Sequence, residues 1–214
     1  MRKNQSFWQW LCLCIAVSVP AAPAFSQNPS VDLQPRLLVL GDSLSAGYGV
    51  EAGRRWVDLL QRRLESEGYS YRVINASVTG ETSRGGLSRL PDLLATHQPQ
   101  IVILELGGND GLRGFAPSNL QKNLEQMIAL AQAEEARVLL LGVVIPANYG
   151  EVYRARFTAV FSDLQKEEGV AALLDFLGPI PLQPELMLDD GIHPNAAAQG
   201  QILERVWPHL QPLL

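Results

Sequence analysis

The chemistry this chain can perform is limited by its few histidines. Only His97, His193 and His209 occur in 214 residues. His97 precedes Gln98 and Pro99, and His209 follows Pro208 near the end of the chain. His193 alone is set among carboxylates and turn residues, in Asp189-Asp190-Gly191-Ile192-His193-Pro194-Asn195. A neutral imidazole accepts a proton near neutral pH, and a carboxylate three residues before it can fix its tautomer and stabilise the imidazolium. That spacing selects Asp190 as the partner and leaves Asp189 as a solvated turn acid. An imidazole base needs a nucleophile to activate, and a serine hydroxyl is a poor one until its proton is taken. Ser43, in Gly41-Asp42-Ser43-Leu44-Ser45, follows a short apolar run that reads as a buried strand. Attack by Ser43 on an acyl carbonyl creates an oxyanion that needs donors already aimed at it. The N–H groups of Ser43 and Gly80 and the side-chain amide of Asn109 are available for that task. Asp110, beside Asn109, reads as a brace for its loop, and Glu81 and Arg84 read as surface or supporting groups.

These residues must be held by a scaffold, and the apolar pattern outlines one. Residues 36–40, 71–75, 101–106, 138–141 and 170–174 are short continuous apolar runs, as expected of strands covered on both faces. Between them, apolar residues recur at helical spacing: Trp56, Leu59, Leu60 and Leu64; Leu87, Leu90 and Leu94; Tyr153, Phe157, Val160, Phe161 and Leu164. Ser118-Asn119-Leu120-Gln121 has capping-box form and predicts the start of a helix carrying Leu120, Leu124, Met127, Ile128 and Ala131. A last helix is predicted over about residues 195–207. Alternating strand and helix predicts a three-layer α/β/α domain with a mostly parallel sheet of about five strands. In such sheets ligands bind beyond the carboxyl ends of the strands. Ser43, Gly80 and Asn109 each follow a predicted strand, and His193 lies in a loop before the last helix.

The first 26 residues read as a separate object. Arg2 and Lys3 precede an apolar stretch at 7–19, and small residues follow up to Ser26. That is the order of a secretory signal, cut after Ser26 or after Ala24. Domain organisation is therefore a leader at 1–26 and one domain at 27–214, destined for the periplasm or for secretion. Removing the leader leaves 188 residues, changes the net charge from −5 to −7, and takes both cysteines, Cys12 and Cys14, with it. The acidic balance argues against nucleic acid as a partner. No apolar run reaches the length of a conventional membrane span. Asp189, Asp190 and His193 lack a second cluster that would complete a metal site, so no metal is expected. Gly47-Tyr48-Gly49-Val50-Glu51-Ala52 superficially fits a dinucleotide fingerprint, but it follows the serine loop instead of joining strand to helix. Gly-x-Ser-x-Gly does not occur, which disfavours the usual α/β-hydrolase nucleophile elbow.

Four ordered blocks, Gly41-Asp42-Ser43-Leu44, Gly80, Gly107-Gly108-Asn109-Asp110 and Asp190-x-x-His193, resemble those of the GDSL/SGNH hydrolases. More closely, the chain from about Leu37 to Leu210 is similar to the bacterial periplasmic thioesterase/protease/lysophospholipase group and related arylesterases. The resemblance implies a flavodoxin-like fold, with Ser43 as nucleophile, His193 as base and Asp190 as its orienting acid. It implies an oxyanion hole of Ser43, Gly80 and Asn109 and no cofactor; a monomer is the default expectation for a single domain of this size. Its substrates would be small acyl esters, thioesters or lysophospholipids. It also implies that the glycine-rich segment 108–115 moves over the acyl chain. A carbohydrate O-deacetylase of the same fold and a non-catalytic lipid- or glycan-binding module are the other readings of these residues.

Overall fold

The computed structural model describes residues 34–214. The predicted leader and its cleavage site lie outside the described residues. In chain order the regular elements are β1 (Arg36–Gly41), α1 (Ser43–Ala46), α2 (Trp56–Ser66), β2 (Arg72–Asn75), α3 (Ser83–His97), β3 (Ile101–Glu105), α4 (Gly108–Leu112), α5 (Pro117–Ala133), β4 (Arg137–Leu141), α6 (Glu151–Leu164), β5 (Val170–Leu173) and α7 (Gln199–Leu210). Short 3₁₀ turns follow β4, precede the His193 loop and end the chain.

The five strands form one parallel sheet in the order β2-β1-β3-β4-β5. Side chains of a strand alternate between faces, and two separate cores follow from that alternation. Leu38 and Leu40 of β1, Val102 and Leu104 of β3, and Val138 and Leu140 of β4 pack against α3, α5 and α6. Leu37 and Val39, Ile101 and Ile103, and Leu139 and Leu141 face the opposite way, against α2 and α7. Trp56 and Trp207 belong to this second core. The expected flavodoxin-like α/β/α sandwich is thus what the chain forms.

The strand order places the site. From β1 the chain crosses to β2 on one side, and later to β3 on the other. The order reverses at β1, so the loops leaving β1 and β3 diverge and open a crevice at the carboxyl edge. Those loops carry Ser43 and Asn109.

Three local expectations are corrected. Ser118 does not cap α5: the cap is Ala116, without a side-chain bond, and Pro117 occupies the first turn. Proline's fixed φ and missing N–H suit that position, so no hydroxyl cap is needed. The last helix runs from Gln199 to Leu210 instead of 195–207. Asn195 Oδ1 accepts from Ala197 N and its amide donates to Glu185 O and Met187 O, which ties the predicted first turn into the preceding loop. Third, the segment after β3 is not an open glycine loop, because residues 108–112 form the single turn α4. Among the described residues, no helix is long and apolar enough to cross a membrane.

Candidate active site

Ser43 opens α1 immediately beyond β1. Asp42 caps that turn, its Oδ1 accepting from Leu44 N at 3.0 Å. Ser43 is therefore not the helix cap, and its hydroxyl is free for other partners. Its Oγ lies 2.9 Å from His193 Nε2, although 150 residues separate them in the chain. His193 Nδ1 lies 2.6 Å from Asp190 Oδ2.

The loop bearing His193 is built around Asp190. Asp190 Oδ1 accepts from Ile192 N and His193 N at 2.9 and 3.0 Å, a tight side-chain-to-backbone turn of the kind aspartate favours. Leu188 N donates to His193 O at 2.8 Å and closes the turn. The same carboxylate thus folds the loop and orients the imidazole. Asp189 makes none of these bonds. The His193 backbone N–H, then the His193 ring and the Ile192 N–H, lower the Asp190 pKa to about 2. An ionised carboxylate can only accept, so Nδ1 carries the imidazole proton and Nε2 presents its lone pair to Ser43.

Asn109 sits in α4 with ordinary helical backbone, and its Nδ2 donates to Asp42 Oδ2 at 3.0 Å. One amide hydrogen is committed to Asp42, which fixes the direction of the other. Gly80 has φ of +80°, a backbone region that favours glycine, and an added Cβ there would meet nothing within 4 Å. Conformation, not space, demands glycine at this position. Its carbonyl accepts from Arg113 Nη2 at 3.1 Å, and the nearby Val78 N donates to Gly41 O at 3.0 Å. These bonds tie the loop after β2 to the loops after β1 and β3. Among the described residues, the N–H groups of Ser43 and Gly80 have no hydrogen-bond acceptor. Ser43, Asn109 and His193 line one cavity of about 360 Å³, whose other walls include Leu44, Leu112, Val144, Ile145 and Ile192; Gly80 does not line it.

Two buried carboxyls beneath the site were not singled out by the sequence reading. Asp42 is pushed up to about 6 by burial, opposed by its bonds from Leu44 and Asn109 and by the nearby His193. Glu105, at the end of β3, is fully buried. Its Oε2 accepts from Ser45 Oγ at 2.8 Å and from Asp42 N at 3.3 Å, while its Oε1 has no partner. Burial, and then the charge of Asp42, push the Glu105 carboxyl well above the usual carboxylate range. Glu105 is the neutral member of the pair: an ionised carboxylate with one bare oxygen in an apolar core would be far costlier. Gly41 pairs with Glu105 in the sheet, and a Cβ on Gly41 would stand 2.7 Å from Glu105 Oε2. The sequence signal was a lone acid inside the apolar run Ile101-Val102-Ile103-Leu104-Glu105-Leu106. Asp110 braces its loop as read: it accepts from Ser83 N and Ser83 Oγ at 2.8 and 2.6 Å. Glu81 pairs with Arg89 at 3.0 Å.

The chain is similar to known proteins in sequence and in fold. Residues 39–200 match the GDSL-like Lipase/Acylhydrolase family. The chain is 53% identical to Esterase TesA of Pseudomonas aeruginosa over 178 residues, covering 83% of this chain and 89% of the relative. It is 47% identical to Thioesterase 1/protease 1/lysophospholipase L1 of Escherichia coli strain K12, covering 83% of this chain and 84% of that one. A crystal structure of TesA superimposes with a TM-score of 0.82 at 52% identity, covering 84% of this chain and 99% of that chain. By sequence and by fold, the chain belongs to the GDSL-like lipase/acylhydrolase family and is a serine ester hydrolase.

Proposed function

We propose that the chain hydrolyses acyl esters and thioesters, lysophospholipids included, through an acyl-enzyme formed on Ser43. Ser43 Oγ attacks the acyl carbonyl carbon while its proton passes to His193 Nε2. The resulting oxyanion is held by the N–H groups of Ser43 and Gly80 and by the free amide hydrogen of Asn109. Asp190 stays ionised and stabilises the imidazolium. The bond from the acyl carbon to the leaving oxygen or sulfur then breaks. Its electron pair goes to the leaving atom, which takes the proton from Nε2. Water gives a proton to Nε2 and adds to the acyl carbon; collapse frees the carboxylic acid and returns the proton to Ser43 Oγ.

The observation that carries this reading is the unbroken relay from Asp190 through His193 to Ser43, at 2.6 and 2.9 Å, opening on a mainly apolar cavity. The acyl chain lies in that cavity. A second hollow of about 450 Å³ lies beside it, lined by the same residues 143–146 and by Arg154 and Leu182. The room beside Ser43, with this neighbouring hollow, supports acyl chains longer than acetyl and disfavours a deacetylase, which needs room for two carbons only. Residues 1–26 act as a leader that delivers the domain to the periplasm, a reading supported by their order of charge, apolar stretch and small residues. N-terminal sequencing of the periplasmic form tests it, and an intact Met1 would refute it.

The central test is Ser43→Ala. The variant is expected to lose p-nitrophenyl butyrate hydrolysis and covalent labelling by a fluorophosphonate while keeping the wild-type circular dichroism spectrum. Substantial remaining activity would end the serine mechanism. An acyl-chain series on p-nitrophenyl esters, acyl-CoA and lysophosphatidylcholine then ranks the substrates; activity confined to acetyl esters would favour the deacetylase.

A further inference from the structure

Tyr48 has no part in the mechanism above, yet it stands on the catalytic base. Its ring centroid is 4.6 Å from that of His193, at an interplanar angle of 42°. Nearly half of the residue, 49%, is exposed, an unusual position for a large aromatic side chain. Its backbone is tied to the serine turn: Tyr48 N donates to Ser43 O at 3.0 Å, which places the residue beside Ser43. The next anchor, Val50, is buried. The hydroxyl makes no hydrogen bond among the described residues, so the ring is not there to satisfy a polar group.

Tyr48 lines neither of the two hollows assigned to the acyl chain. Ser43 and His193 therefore have an apolar cavity on one side and an exposed aromatic ring on another. A trigonal carbonyl carbon directs its two substituents apart. With the acyl chain in the cavity, the departing group must remain within reach of His193 Nε2 to receive its proton. The ring that borders His193 outside the cavity is Tyr48.

We propose that Tyr48 is the leaving-group platform of this enzyme, a specificity-determining residue that favours esters whose departing alcohol carries a planar aromatic ring. The proposal rests on the Ser43 mechanism stated above. Offset or edge contacts between two aromatic rings are favourable beyond the area they bury. A saturated ring of similar size gains the burial without the ring contact. At the collapse step the carbon–oxygen bond breaks, its electron pair stays on the leaving oxygen, and His193 Nε2 supplies the proton. Tyr48 holds the departing ring beside that nitrogen and exchanges no proton itself.

The test compares benzyl butyrate with cyclohexylmethyl butyrate, which share an acyl chain and differ in the planarity of the leaving group. Wild type is expected to favour the benzyl ester in kcat/KM. Tyr48→Leu and Tyr48→Ser are expected to shrink that ratio by roughly 3- to 10-fold, and Tyr48→Phe to keep it. Benzyl alcohol is expected to inhibit wild type more strongly than cyclohexylmethanol, and Tyr48→Leu to lose the difference. If Tyr48 merely steadied His193, both esters would slow together and the ratio would stand. An unchanged ratio in Tyr48→Leu, or a ratio lost in Tyr48→Phe, would overturn the proposal. Failure of the underlying mechanism would show differently, as Ser43→Ala retaining activity on both esters.

Discussion

At the residue scale the site separates groups that transfer protons from groups that aim them. In the proposed mechanism His193→Ala removes the base, whereas Asp190→Ala removes the carboxylate that bonds the imidazole and folds its loop. The first substitution is expected to cost more in kcat on p-nitrophenyl butyrate; an equal or larger loss in Asp190→Ala would reverse that division of labour. Asn109→Ala deletes one of the proposed oxyanion donors and is expected to cost about 10²–10³ in kcat. Asp42 acts one step further back, by fixing the Asn109 amide at 3.0 Å. Asp42→Asn cannot present acceptors to both Leu44 N and Asn109 Nδ2. It is expected to lower kcat by about 10-fold or more, less than the full loss of a donor, with KM little changed. A change confined to KM would show that Asp42 serves binding instead.

At the scale of elements, close approach of backbone decides which substitutions the scaffold accepts. Gly142 follows β4, and a Cβ there would lie 2.5 Å from the backbone oxygen of Leu174, beyond β5. Backbone held by hydrogen bonds, here Gly142 N to Leu173 O and Phe176 N to Gly142 O, cannot step aside as a side-chain tip can. Gly142→Ala is expected to destabilise by about 1–3 kcal/mol, read as a lower thermal midpoint. Gly200, in the first turn of α7, has open space around its Cβ position and no positive φ. Gly200→Ala is expected to stabilise by about 0.4–1 kcal/mol by narrowing the unfolded ensemble. The same elements show where the sequence was readable. The three central strands β1, β3 and β4 stood out because strands buried on both faces are near-continuous apolar runs, whereas β2 and β5 at the sheet edges are only partly buried. Element ends were less readable, because Pro117 and Asn195 made choices that depend on neighbouring segments. Helix α3 runs through Pro91. Local propensity argues against that, and burial of Leu90 and Leu94 against the sheet overrides it.

For the molecule as a whole, three carboxyls, the exposed Asp190 and the buried Asp42 and Glu105, set a pH dependence of stability. Asp190 is lowered from 3.8 to about 2, so its bonds favour the folded state above pH 4 and that contribution disappears as pH falls toward 2. Asp42 and Glu105 act in the opposite sense. Each holds its proton more tightly folded than unfolded, so between pH 4 and 6 the native state binds more protons and stability falls as pH rises. Glu105→Gln keeps the shape of a neutral acid without this penalty. Its thermal midpoint is expected to match wild type near pH 4 and to exceed it at pH 8; an equal deficit at both would mean that Glu105 is ionised in the fold. The sequence by itself determined the class of sheet and the two apolar faces, and it singled out Ser43, Asp190, His193, Asn109 and Gly80 as candidates. It could do so because periodicity and short turn motifs are local properties of a chain. Tertiary structure alone decided the rest. It brought Ser43 within 2.9 Å of a histidine 150 residues away. It paired Gly41 with Glu105, buried an acid beneath Ser43, and stood Tyr48 against His193. These contacts join segments distant in the chain, and they are fixed by the reversal of strand order at β1 and by the packing of loops at one edge of the sheet, which no local window of sequence contains.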